Sequence, residues 1–69
     1  MSKFAQKLKE LRIVNNLTLK QLSKELDGKI SSSALQYWET NQRITNFDMV
    51  ILIAQYFGVS TDYLAGLED

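Results

Sequence analysis

Cysteine, histidine and proline are all missing from this chain of 69 residues, and glycine occurs only three times. The first absence excludes disulfide staples and thiolate metal sites. The second removes the commonest general base and the usual zinc ligand. No other metal-binding constellation stands in for them, and the scattered glycines form no loop that could cradle a phosphate. The expectation is a protein that is not an enzyme and carries no cofactor, metal or small-molecule ligand. Long apolar runs are missing too. None approaches the ~20 residues of a membrane span, and the start, MSKFAQKLKELR, lacks the pattern of a signal peptide. A cytoplasmic protein without membrane attachment is expected. No linker, repeat or low-complexity stretch divides the chain, so residues 1–69 are read as a single domain. A chain of this size buries only about 60% of its unfolded surface. Its stability must come from closely packed helices, from self-association, or from both.

What is present is unevenly spread. All eight basic residues lie in positions 1–43 with only four acids among them, a net +4, whereas the last 26 residues carry four acids and no base, a net −4. The basic part suits a polyanion and leaves the acidic part to another task, although a scattered solvated surface would give the same totals. Lys3, Lys7 and Lys24 read as solvated helix charges rather than site residues.

The apolar periodicity is helical nearly throughout. Phe4, Leu8 and Leu11 make one stripe, and Asn16 suits a left-handed helix end. Thr18 three residues before Gln21 forms a capping box for a second helix whose stripe is Leu19, Leu22 and Leu26. Asp27-Gly28-Lys29 is a turn. A third helix starts within ISSS, capped by Ser33 with Gln36 as a box or, equally, by Ser31. Thr45 or Asn46 opens a fourth helix that Gly58 closes, and Ser60 begins a short fifth. Five short helices with tight connections predict a compact all-α bundle.

The third helix has two unlike sides. Ile30, Ala34, Leu35 and Trp38 share one, which spacing assigns to the core. Ser32, Ser33, Gln36, Tyr37 and Thr40 fall opposite, polar but without a formal charge. A merely solvated face more often uses lysine and glutamate. Glutamine can bond adenine at two points, serine meets either kind of base edge, and tyrosine can touch a thymine methyl or a phosphate. The composition fits the floor of a major groove better than bulk water.

These residues, with LKELRIVNNLTLKQLSKEL before them and FDMVILIAQYFGVSTDYLAG after, resemble the lambda-repressor and Cro type of helix-turn-helix domain, the XRE family. The resemblance covers roughly residues 4–66. It implies a five-helix lambda-repressor-like bundle with the helix-turn-helix formed by helices 2 and 3, which binds double-stranded operator DNA, usually as a dimer. Carried over to this chain, Ser32, Ser33, Gln36 and Tyr37 match base-contacting positions. Thr18, Lys20, Lys29, Ser31, Thr40, Asn41, Gln42 and Arg43 are the expected phosphate contacts. Arg12 and Glu39 match a partly buried ion pair, with a phosphate contact as the other use for Arg12. Departures accompany the match. Leu19 stands where a phosphate-bonding glutamine is frequent, and Ser23 replaces a usual alanine, read as innocuous. The turn before Ser31 is about two residues longer than usual, and Thr45 replaces a frequent proline. No arginine or lysine lies on the third helix, which removes the bidentate guanine contact and implies A/T-leaning readout.

The fourth helix is apolar almost all round. Phe47, Val50, Ile51, Ala54 and Phe57 are assigned to the core, and Met49, Leu52, Ile53 and Tyr56, with Tyr63 and Leu67, to a homodimer surface. Deeper burial against the first helix and the tail is the competing use for Ile53 and Leu52. The expected function is a sequence-specific DNA-binding regulator, a repressor of prophage or bacterial type, on an inverted repeat. The alternative is a protein-interaction module such as an antitoxin or anti-repressor.

Overall fold

Among the described residues, three helix starts have a serine or threonine oxygen that accepts an amide hydrogen the helix leaves bare. A computed structural model describes residues 3–41 and 47–67, Asn41 by its backbone alone. Among these all regular structure is helical: α1 Lys3–Val14, α2 Leu19–Glu25, α3 Ser32–Asn41, α4 Phe47–Phe57 and α5 Thr61–Ala65. The capping box of α2 forms as expected. The Gln21 N–H donates to Thr18 Oγ1 at 3.1 Å, and the Thr18 N–H donates to Gln21 Oε1 at 2.8 Å. For α3 the cap is Ser31, whose Oγ accepts the Ala34 N–H at 3.1 Å. Ser33 lies inside the helix rather than at its cap. Ser60 caps α5 through the Tyr63 N–H. The expected openers of α4, Thr45 and Asn46, lie outside the described residues.

The ends of α1 and α2 share one mechanism. Asn16 takes φ 58° while the Leu17 N–H reaches back to the Arg12 carbonyl at 3.0 Å. Asp27 takes φ 58° while the Gly28 N–H reaches the Ser23 carbonyl at 2.9 Å. Both are left-handed caps that return an amide to the last open carbonyls.

Between these stops, the inward stripes meet in one core. Phe4, Leu8, Leu22, Leu35, Ile53 and Leu64 are almost wholly buried, each contributing on the order of 1.5–3 kcal/mol by leaving water. α1 packs on α3 and α5, α2 on α3, and α4 on α5. Trp38 closes the joint between α1 and α3, its ring tilted against Phe4 with centroids 6.2 Å apart. Leu11, Leu19 and Ala34 are half-buried around this core.

The fourth helix corrects two assignments. Its inward stripe is Val50, Ile53, Ala54 and half-buried Phe57, at i, i+3, i+4 and i+7. Ile53 is fully buried and therefore cannot form part of a dimer surface. Phe47, expected in the core, is 64% exposed. A stripe drawn one residue away, through Ile51, turns the helix too far.

Candidate nucleic-acid interface

With Ile30, Leu35 and Trp38 buried and Ala34 and Glu39 turned toward the body of the protein, the opposite flank of α3 faces outward. Ser33, Gln36, Tyr37 and Thr40 are exposed or half-buried at the surface together with half-buried Ser32, so the uncharged flank stands on the outside of the molecule. Spacing alone puts it there. Residues at i, i+3 and i+4 share a side of a helix, so Ser33, Gln36 and Tyr37 lie together on the same flank. Thr40 continues the row, and its hydroxyl donates to the Gln36 carbonyl at 2.9 Å. Carbonyl back-bonding of this kind holds the side chain against its own helix.

The expected phosphate contacts gather on either side of this row. Thr18 and Lys20 stand at the start of α2, where helix amides and dipole favour an anion, and Lys20 is exposed. Lys29 and Ser31 are exposed in the link leading into α3 and border one open cleft of about 530 Å³, floored by Trp38. Asn41 ends α3, with its side chain not described, while Gln42 and Arg43 lie outside the described residues.

Arg12 is committed elsewhere. Its Nε donates to Glu39 Oε2 at 2.8 Å, its Nη2 to Glu39 Oε1 at 3.1 Å and its Nη1 to the Leu17 carbonyl at 2.9 Å. The two side chains are only 15% and 6% exposed. Bonding to Glu39 raises the Arg12 pKa further above its ordinary value, against an opposing pull from desolvation. A guanidinium with three of its N–H groups bonded inside the protein is a brace from α1 to α3.

The residues expected at a dimer surface separate. Met49 and Leu52 are half-buried on α4, each packed in part against the core, and Leu67 is 77% exposed. Tyr56 is exposed and its hydroxyl donates to Glu25 Oε1 of α2 at 3.0 Å. Partial desolvation first, and Glu25 second, push this phenol above its ordinary pKa. Tyr63 leans the other way, with Lys7 Nζ 4.4 Å above its ring, so Lys7 is a clasp between α1 and α5 rather than a free charge.

Two further features escaped the sequence reading. Ser23 is half-buried and its hydroxyl donates to the Ile30 carbonyl at 2.7 Å, so the serine in place of alanine and the lengthened turn belong together. A serine about one turn from a helix end, ahead of an extra-long link, was the available signal. Ile13 and Val14, beyond the α1 stripe, are 54% and 76% exposed.

Comparison with known proteins gives matches over almost the whole chain. The family model described as a helix-turn-helix domain matches residues 5–69. The chain is 30% identical over 66 residues to the uncharacterized HTH-type transcriptional regulator YobD of Bacillus subtilis (strain 168). It is 33% identical over 66 residues to the HTH-type transcriptional activator BcrR of Enterococcus faecalis. Each alignment takes in 96% of this chain, which spans 57% of the first relative's length and 31% of the second's. No solved structure matches the chain.

Proposed function

The chain belongs to the XRE-type helix-turn-helix family, and from that premise we propose a sequence-specific regulator, a repressor of bacterial or prophage type, that binds an inverted-repeat operator as a homodimer. The 69 residues act as one DNA-binding domain in the cytoplasm, with α3 in the major groove. The observation that carries this reading is the uncharged surface row Ser33, Gln36, Tyr37 on a helix whose other side is locked into the core. Gln36 bonds adenine at two points, and Tyr37 meets a thymine methyl or a phosphate. With no cationic side chain on α3, the readout leans to A/T pairs.

Phosphates are neutralised by Lys20, Lys29 and Arg43, with Thr18, Ser31, Thr40, Asn41 and Gln42 as neutral partners. Three cations per protomer, six per dimer, give log K a slope of about −5 against log salt. The reading requires the two copies of α3 to enter successive major grooves, about 34 Å apart. Met49, Leu52 and Tyr56, the part of the expected surface that stays together along α4, supply the contact between protomers. Repression comes from covering a promoter, whereas the Enterococcus relative carries the name of an activator.

The test is binding, across a salt series, to an inverted repeat selected from random duplexes and to its scrambled version. Preference for the repeat, with two protomers per duplex, is expected. Equal affinity for both defeats specific recognition. A reporter whose promoter overlaps the repeat decides the sign, and a rise in expression reverses the repressor assignment. The exposed Phe47 and Leu67 favour a second reading, a module that pairs with a different protein. Chromatography separates the two, because that module runs as a monomer by itself.

A further inference from the structure

The link from α2 to α3 ends one helix and aims the next within residues 26–31, and Ser23 is its hub. The Ser23 carbonyl accepts the Gly28 N–H at 2.9 Å, and the Ser23 hydroxyl donates to the Ile30 carbonyl at 2.7 Å. Between these two bonds Asp27 and Gly28 both take left-handed backbone, at φ 58° and 71°, and Lys29 is turned out to solvent. The next residues are buried Ile30 and the cap of α3, Ser31. Seven positions apart in sequence, Ser23 and Ile30 are thereby stitched across the whole turn.

The two ends of α3 are held differently. Its C-terminal half carries Trp38 and the Arg12–Glu39 brace. Its first turn, which bears Ser32 and Ser33, has Ile30 in the core and the Ser23 hydroxyl on the Ile30 carbonyl. Burial of an isoleucine side chain is non-directional and resists withdrawal more than rotation. A short hydrogen bond has a preferred line and fixes orientation.

We propose that Ser23 is a positioning residue for sequence discrimination: without touching DNA, its hydroxyl sets the angle at which the first turn of α3 meets the base pairs. This rests on the regulator reading above. The expected phosphate contacts of α2, Thr18 and Lys20, do not depend on that bond. Losing it relaxes base readout while sparing sequence-independent attraction, which comes from phosphate neutralisation.

The test uses Ser23→Ala and Ser23→Thr in the full chain, against the selected repeat and its scrambled version. Alanine is the strongest helix former, so α2 remains intact in the first variant. Ser23→Ala is expected to bind the repeat about five- to tenfold more weakly. Its affinity for scrambled DNA should stay within about twofold, and Ser23→Thr, which keeps a donor, should recover most of the preference. In the free protein, the Ala34 and Leu35 amides, both bonded to Ser31, should exchange faster in Ser23→Ala. An unchanged preference, an equal loss on both duplexes, or unaltered exchange at those amides each overturns the proposal. Wild-type protein that binds both duplexes equally overturns the regulator reading and this role with it, while the exchange rates still report whether the bond holds the turn.

Discussion

Removing the Glu39 carboxylate tests how α3 is braced. In the wild type it accepts two charge-assisted bonds from one guanidinium, at 2.8 and 3.1 Å, in a site where the side chains are 15% and 6% exposed. Breaking a fully buried pair by deleting one partner costs about 3–5 kcal/mol, because the other charge is stranded. Arg12 keeps the Leu17 carbonyl and can swing partly into water, so Glu39→Ala should cost less, about 2–3 kcal/mol. A domain of this length is stable by only about 3.5–10 kcal/mol, and its melting temperature should fall by about 10–20 °C. Urea unfolding followed by circular dichroism measures the loss. Replacing both partners, Arg12→Met with Glu39→Leu, should return to within about 1 kcal/mol of wild type, since no charge remains stranded. The pH dependence has a definite sign. A folded-state pKa raised above the ordinary arginine value leaves the stabilisation whole below that value, to be lost only as pH climbs through the still higher folded one. The Arg12 side of the pair should therefore contribute equally at neutral pH and in mild alkali. The reasoning is refuted if Glu39→Ala loses under about 0.5 kcal/mol, or if the double variant is as unstable as the two single losses added.

Ser31→Ala should lower stability by about 1 kcal/mol, whereas Ser33→Ala should leave it within about 0.5 kcal/mol and weaken operator binding instead, with thermal melts and gel shifts as the paired readouts. Gly66→Ala should cost about 2–3 kcal/mol, because at φ 80° a new Cβ lies 2.5 Å from Lys3 Cβ. Gly28→Ala meets nothing within 4 Å at φ 71°, so it should lose only the backbone strain of about 1–2 kcal/mol by the same melts.

The helices were legible where one local rule decided them. Thr18 with Gln21 is self-contained chemistry, and an asparagine at position 16 is among the few residues at ease with φ 58°. The two sides of α3 were legible because apolar and polar residues separate cleanly there. Rules in competition gave less. Ser31 and Ser33 both satisfy the capping pattern, and which one acts depends on where the α2–α3 link delivers the chain. That link is fixed by Ser23 reaching Ile30, a contact between residues seven apart that no periodicity announces. The clasp of Lys7 over Tyr63 is similarly a product of α1 meeting α5, and from sequence Lys7 looked like any solvated lysine.

The fourth helix lacks a polar side, so its own pattern cannot orient it. An α-helix advances about 100° per residue, so Val50, Ile53, Ala54 and Phe57 centre on one direction, and a stripe through Phe47 and Ile51 is almost as apolar. Contact with the rest of the core breaks the tie by burying Ile53 completely and leaving Phe47 mostly outside. That rotation reshapes the proposed pairing surface. Met49, Leu52 and Tyr56 stand at i, i+3 and i+7, a second stripe turned about 120° from the core direction. Two copies related by a twofold axis can lay such stripes against each other, since an isologous contact needs a row that complements itself. Tyr56 is held in this row by Glu25 of α2, the first helix of the helix-turn-helix. In the proposed dimer, a protomer contact along the row bears on α2, the helix joined to α3, and so links pairing to the distance between the two copies of α3.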